Sequence, residues 1–348
     1  MKLGIIGLPQ SGKLTIFNAL TGARGLDESP KDSRMDQRIG TVRVADERVD
    51  FLTELYQPKK TTYARVEYLL PAKSSIGSAS GSQDVIWNQA RTGDALIHVT
   101  RNFRDMSGTA ATPEKDFSRL DEEMILADLL TVEKRLERLE LDKKRGQKPS
   151  EEELRLLQDC RRLLTDNQPL RINGELSSAP LLRGFTFLSA KAQLVIINNE
   201  DEDEALPEWK IKPEKVVLLP VRGRLEMEIT ALSPEEAREF QEAYHIEESA
   251  LDQVIKISNK LLGLLSFFTV LNHEVRAWTI KRGTPALEAA GSVHSDIQRG
   301  FIRAEVISFG HLQEYGSFQE AKKAGQVRLE GKEYIVQDGD IINFRFNI

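Results

Sequence analysis

The chain has 348 residues, 40% of them hydrophobic and 29% charged, and a formal net charge of -6. This length supports two or three domains with a substantial core. The acidic balance excludes a polyanion-binding surface made from bulk charge and leaves only local basic patches for nucleic-acid contact. One cysteine, Cys160, excludes an internal disulfide and suits a reducing compartment; it sits in a helical pattern and reads as a packing residue. No apolar run approaches the roughly 20 residues of a membrane helix, and the N-terminal apolar stretch is too short and glycine-rich for a signal peptide. A cytoplasmic, monomeric protein without a membrane partner is expected.

In chain order, the apolar run Leu3 to Ile6 is followed at once by Gly7-Leu8-Pro9-Gln10-Ser11-Gly12-Lys13, then by Ile16, Phe17, Ala19 and Leu20 at helical spacing. The order is strand, glycine-rich turn, helix. A Gly-x4-Gly-Lys turn lets successive backbone N–H groups curl round a phosphate chain, with Lys13 reaching the outer phosphates and the helix N-terminus adding partial positive charge. The full motif continues with Ser or Thr, whose hydroxyl sits on Mg2+. Here that position is Leu14. Thr15 is the remaining metal candidate, although one step along a helix turns a side chain by about 100°.

Gly22 to Asp36 is glycine-, serine- and charge-rich and reads as a mobile loop, where the first switch of a phosphate-loop nucleotide switch would lie. Strand, helix and strand are expected over Thr41–Val44, Val49–Leu55 and Thr62–Leu70. The last of these ends Leu69-Leu70-Pro71-Ala72-Lys73, without the Asp-x-x-Gly by which switch proteins hold the metal and the terminal phosphate. Lys73 could place a positive charge near the phosphates instead. Ser74 to Ser82 is low-complexity and reads as a surface loop. A helix over Gln83–Arg91 and a buried strand over Ala95–Val99 follow, with His98 a packed or surface histidine because no metal-ligand partner stands at suitable spacing.

From Phe117 to Leu164, Leu129, Val132, Leu136 and Leu139, and then Leu154, Leu157, Cys160 and Leu164, recur at three and four residues amid dense alternating charge. The Arg145 to Ser150 turn between the two runs makes this an antiparallel helical hairpin, with Ser150 and Glu153 spaced as a capping box. Its charges read as a solvated face or as a docking arm. The α/β pattern resumes at Phe185. Leu194 to Ile197 forms a strand whose carboxyl end carries Asn198-Asn199-Glu200, the place where open α/β sheets bind ligands. Amides and a carboxylate there could read the edge of a base. Val216 to Leu219 is another strand, and helices run on to about Leu265. From His273 onward the pattern is β-rich: strands at Val275–Ile280 and Ala304–Ile307, a helix at Phe318–Ala324, and a closing hairpin of Tyr334–Val336 with Ile341–Phe346. Residues 264–348 hold ten Lys/Arg and ten Asp/Glu, so only the strand-borne Arg276, Arg303 and Arg345 offer a local basic patch.

The N-terminal GLPQSGKLTIFNAL resembles the Gly-Leu-Pro-x-x-Gly-Lys-Ser-Thr-x-Phe-Asn-Ala-Leu of the Obg-like ATPase (YchF) family of translation-factor-related NTPases. HEVRAWTIKRGTPALEAAGSVHSDIQRGFIRAEVISF and GKEYIVQDGDIINFRFNI resemble that family's C-terminal TGS domain, and the likeness covers essentially the whole chain. It implies an α/β protein: a Ras-like P-loop NTPase domain from 1–115 and 183–265, an inserted antiparallel helical hairpin over 116–182, and a β-grasp TGS domain over 266–348. It also implies ATP in preference to GTP, and association with the ribosome or ribosomal RNA through the hairpin and the TGS domain. The family's ATP preference is attributed to Asn-x-x-Glu in place of Asn-Lys-x-Asp. Matched without gaps, Asn199 and Glu200 take its last two positions and Ile197 falls on the first Asn; Asn198 does that work if the loop slips by one residue. Phe103 matches an aromatic that lies beside the base.

The expected nucleotide site is therefore Gly7 to Thr15 with Phe103, Asn198, Asn199 and Glu200. Leu14, Leu70 and Lys73 depart from the metal and switch positions, and no first-switch Thr is evident between Gly22 and Arg38. Losing metal ligands should cost orders of magnitude in phosphoryl transfer. The expectation is ATP or GTP binding with Mg2+ doubtful and hydrolysis weak or absent. An active Mg-dependent NTPase using Thr15 or main-chain groups, and a scaffold with a vestigial site, are the alternatives.

Overall fold

The computed structural model describes residues 2–22, 37–72, 81–105, 107–210, 212–244, 249–271 and 273–347. In chain order the elements are β1 (Lys2–Ile6), α1 (Lys13–Thr21), β2 (Arg38–Arg43), α2 (Glu47–Tyr56), β3 (Lys60–Thr62), β4 (Arg65–Leu70), α3 (Gly81–Arg91) and β5 (Ala95–Asn102). The long helices α4 (Pro113–Lys144) and α5 (Glu151–Thr165) follow, then α6 (Gly174–Ser178), β6 (Gln193–Asn199), β7 (Val216–Val221), α7 (Gly223–Ala231), α8 (Pro234–Ala243) and α9 (Ala250–Leu261). The chain ends with β8 (Leu264–Leu271), β9 (Glu274–Lys281), α10 (Ala286–Val293), α11 (Ser295–Arg299), β10 (Phe301–Ser308), α12 (Phe309–Tyr315), α13 (Phe318–Lys323), β11 (Arg328–Glu330) and β12 (Asp340–Phe346). It divides into two compact units, 1–42 with 67–254 and 43–66 with 255–348. None of the described helices is long and apolar enough to cross a membrane.

In the first unit six strands form a sheet in the order β2-β4-β1-β5-β6-β7, with β4, β1, β5, β6 and β7 mutually parallel. β6 is buried at every position, the uninterrupted apolar pattern of a parallel strand covered on both faces. His98 packs inside β5, fully buried and stacked on Phe117 with ring centroids 5.0 Å apart. Burial pushes its pKa down to about 3, so it is a neutral packing residue.

α4 and α5 form the expected hairpin around a shared core of Val132, Leu136, Leu139, Leu157, Cys160 and Leu164, with Leu129 and Leu154 at its edge. Ser150 accepts from the Glu153 N–H as an N-cap. The box is only half made, because the Glu153 carboxylate turns across the hairpin to accept from Arg135 Nε and Nη2 at 2.8 and 3.0 Å. At the hairpin's root, Arg171 forks onto Asp121 at 2.8 and 2.7 Å, and the buried Asp128 accepts from the N–H groups of Leu188 and Ser189 and pairs with Arg91.

The second unit holds a sheet in the order β11-β10-β12-β8-β9-β3. β12 and β8 are parallel neighbours, while β8–β9, β10–β12 and β10–β11 are antiparallel. With α10 packed through Ala286, Ala289 and Ala290 onto Leu265, Phe267, Val306 and Phe344, this is the expected β-grasp arrangement. The sequence reading continued helix to Leu265, but α9 stops at Leu261 and Gly263 (φ 61) turns the chain into β8, whose run LLSFFTVL lies across the expected 265/266 boundary. The expected closing hairpin does not form either: Ile335 makes only an isolated bridge with Pro285, and β12 lies between β10 and β8. Asp338 and Asp340 bend the chain away, Asp338 accepting from Ser266 N–H and Asp340 from Gln337 N–H and the Tyr334 hydroxyl.

The expected strand Thr62–Leu70 is broken in two. β4 joins the first sheet, whereas β3 runs parallel to β9 in the second, Lys60 opposite Glu274. α2 belongs to the same unit, with Phe51 edge-on to Phe309 and Arg48 bridging Asp46 and Asp338. Residues 43–66, expected in the nucleotide domain, thus cluster with the C-terminal segment. Nothing in their composition sets them apart. Of the strand-borne arginines, Arg345 pairs with Glu305 and Arg276 lies 3.8 Å over the Trp278 ring, so two of the three are engaged locally.

Candidate nucleotide site

The loop between β1 and α1 is shaped by close approaches that only glycine permits. A Cβ on Gly7 would stand 2.4 Å from the Val99 carbonyl, and one on Gly12, whose φ is 88°, would stand 2.1 Å from Asn198 Nδ2. Gly12 is the N-cap residue of α1 and gives it no side-chain cap, so the first-turn N–H groups are left for a ligand. Lys13 Nζ donates to the carbonyls of Gly7 and Leu8 at 2.6 and 2.8 Å, and its burial pulls the pKa from 10.5 down to about 8. Ser11 is 2% exposed and its hydroxyl has no partner. Leu8 tucks partly into the apolar cluster of Ile6 and Leu96, while Pro9 and Gln10 are exposed.

Asn198 ties this loop to the next sheet connection. Its Nδ2 donates to the Ser11 carbonyl at 3.1 Å and its Oδ1 accepts from Gly223 N–H at 3.1 Å, in a site only 4% exposed. Asn198, rather than Ile197, is thus the residue that faces the loop. Ile197 points the other way, into a cluster with Phe117, Val195 and Trp209, because adjacent strand residues face opposite sides. Asn199 is spent as well: its Oδ1 accepts from Asn102, and its Nδ2 donates to the carbonyls of Asp203 and Ala205. Both asparagines brace the site. Asn198→Asp would set a carboxylate oxygen against the Ser11 carbonyl, and we expect it to cost about 3 kcal/mol in urea denaturation, from a lost buried hydrogen bond and a buried charge. A loss below 0.5 kcal/mol would mean that the tie is dispensable.

Beside the loop lies a cavity of about 690 Å³. Gly12 and Thr15 form part of its wall with Phe103, Met227, Asn198 and Asn199, and the carboxylates of Glu200, Asp201, Glu202 and Glu228 and the guanidinium groups of Arg104 and Arg224 complete it. Glu200 accepts from Arg104 N–H at 3.0 Å, while Asp201 keeps one buried oxygen unpartnered. The structure thus brings Gly12, Thr15, Phe103, Asn198, Asn199 and Glu200 to one cavity. Asp201, Arg104, Arg224 and Met227 gave no local signal in the sequence. Lys73 and residues 23–36 lie outside the described residues.

A parallel sheet with a Gly-x4-Gly-Lys loop at the carboxyl end of β1, a helical insertion and a separate C-terminal sheet defines a P-loop NTPase fold. The YchF-GTPase_C family model, described as a protein of unknown function (DUF933), matches residues 264–347. The ribosome-binding ATPase YchF of Bacillus subtilis (strain 168) is 38% identical over 361 residues, covering 99% of each chain. That of Escherichia coli O157:H7 is 37% identical over 366 residues, covering 100% of this chain and 99% of the relative. A solved structure of the Schizosaccharomyces pombe YchF GTPase superposes with a TM-score of 0.84 at 26% identity, covering 99% of this chain and 97% of that one. The chain belongs to the YchF family.

Proposed function

We propose that this protein binds ATP or GTP and acts as a ribosome-associated regulatory factor that hydrolyses its nucleotide weakly or not at all. The observation that carries the reading is the continuity of the Gly7–Lys13 loop with the cavity at Phe103. Loop amides and Lys13 supply donors for a phosphate chain, and the adjoining wall supplies an aromatic ring and carboxylates for a base bearing N–H groups. Gly7 and Gly12 let the loop pack directly on Val99 and Asn198, which holds it at the carboxyl end of the sheet. Two relatives are named ribosome-binding ATPases, which supports the ribosomal assignment, with the hairpin and the C-terminal unit as the contacting parts.

Magnesium fits this donor set poorly. Leu14 has no side-chain oxygen to offer, and Thr15, one residue on, lines the cavity together with Gly12 and Phe103. Without a protein ligand holding the ion, the charge on a departing phosphoryl group is poorly neutralised, which is the basis for slow turnover. Calorimetric titration with ATP and GTP, each with and without Mg2+, tests the reading. The expected result is binding of at least one nucleotide whose affinity shifts less than about threefold with Mg2+. Absence of binding would leave the front unit a scaffold, and rapid Mg2+-dependent turnover would make it an active NTPase.

A further inference from the structure

The four carboxylates in the wall of the cavity beside the phosphate loop are not equivalent. Glu200 is engaged, accepting the Arg104 N–H at 3.0 Å. Glu228 pairs with Arg224 at 3.2 Å on the solvent side of α7, and Glu202 is exposed. Asp201 differs from all three. Its Oδ1 is shut off from solvent with no hydrogen-bond partner among the described residues, and its nearest ion-pair contact, Oδ2 to Arg224 Nε, is 3.8 Å, beyond hydrogen-bond reach. A dry acceptor without a donor costs stability until a donor meets it. Among the described residues no group of three or more His, Cys, Asp or Glu side chains could hold a metal ion on its own. The missing partner is then a hydrogen-bond donor.

We propose that Asp201 makes this cavity select guanine over adenine. The proposal rests on the nucleotide-binding reading and names the base. Guanine carries two adjacent donors on one edge, N1–H and the 2-amino group, which match the two oxygens of one carboxylate. Adenine sets a bare N1 lone pair beside its 6-amino group, so one carboxylate oxygen would face a lone pair. An ionised carboxylate only accepts, and its bonds are roughly twice as strong as neutral ones. The terminal torsion of an aspartate is broad, so the carboxylate can turn both oxygens to an incoming edge. Phe103 offers a face to either purine and does not choose between them. Asn198, three residues before Asp201, bonds to the Ser11 carbonyl and the Gly223 N–H. The strand end that leads into Asp201 is therefore tied to the phosphate loop, and one nucleotide can meet the loop donors and this acceptor together.

The test is calorimetric titration of the full chain with GTP, ATP, ITP and XTP, for wild type and for Asp201→Asn. Wild type should bind GTP about 100-fold tighter than ATP, and about tenfold tighter than ITP, whose base lacks the 2-amino donor. In Asp201→Asn the amide offers one acceptor to N1–H and one donor to the 2-oxo group of xanthine. The variant should lose about 30-fold in GTP affinity and gain about tenfold in XTP affinity, a gain that damage to the fold would not produce. The wild-type series decides the matter even where the variant fails to fold. ATP binding within threefold of GTP, or tighter, overturns the selectivity and leaves nucleotide binding in place. So does a folded variant that keeps the wild-type preference for GTP over XTP. Failure of all four nucleotides to bind wild type withdraws the nucleotide reading itself, and the proposal with it.

Discussion

Arg171→Met is expected to lower the unfolding free energy by about 3 to 5 kcal/mol, the usual cost of stripping one partner from a buried ion pair. Arg171 and Asp121 are 6% and 8% exposed, and their side chains meet through two parallel hydrogen bonds. Removing the arginine takes away both of the hydrogen bonds that its guanidinium gives the buried carboxylate. The loss would consume a large share of the roughly 5 to 15 kcal/mol that holds a typical domain folded. Arg171→Met with Asp121→Leu should recover most of it, because an apolar pair of similar volume replaces the ion pair without leaving a charge behind. Urea denaturation of the three proteins decides the matter. A single variant within 1 kcal/mol of wild type would show that water reaches the pair.

Lys13→Ala should reduce nucleotide affinity at least 100-fold, since it removes the one cation that hydrogen-bonds within the loop. The same residue predicts a pH profile. Burial lowers its folded pKa to about 8 from 10.5, so above pH 8 the free protein holds a neutral amine that phosphate does not attract. Affinity should fall as pH rises from 7 to 9.5, and proton uptake should accompany binding at pH 9. The stability term has the opposite sign. Between about pH 8 and 10.5 the unfolded chain binds this proton and the fold does not, so Lys13 contributes more stability to the free protein as pH rises through that window. Titrations at pH 7, 8 and 9 in two buffers of different ionisation enthalpy check both statements. Affinity that is flat across the range would mean that Lys13 stays charged.

The parts of this protein that follow a short-range rule were legible in the amino-acid sequence. The Gly7–Lys13 turn between β1 and α1 and the heptad faces of α4 and α5 depend on spacing within one or two turns, and the structure follows them. The errors fall where distant groups decide. Glu153 sits at the right distance for a capping box, yet Arg135, eighteen positions earlier, takes its carboxylate. The amides of Asn198 and Asn199, read in the sequence for a base edge, also brace the site through Ser11, Gly223 and Asn102, partners no local pattern names. The ungapped match to the family motif left Ile197 and Asn198 as alternatives, and strand alternation turns Asn198 toward the loop. Tyr334 to Val336 has the composition of a strand, but Asp338 and Asp340 find partners that turn it out of the sheet.

The parallel pairing of β3 with β9 has a consequence for biosynthesis. Lys60 and Glu274 are neighbours in the sheet but 214 positions apart in the chain. At about 5 to 20 residues per second a ribosome needs roughly 10 to 40 s to make the intervening polypeptide. During that interval α2 and β3 have emerged while the strands that receive them do not yet exist. β3 finds its partner once β9 is made at Lys281, and the sheet becomes continuous only when β12 inserts between β10 and β8. A truncation that removes β12 separates β11 and β10 from β8, β9 and β3, and the bared edges of β10 and β8 are the surface on which such a fragment would aggregate.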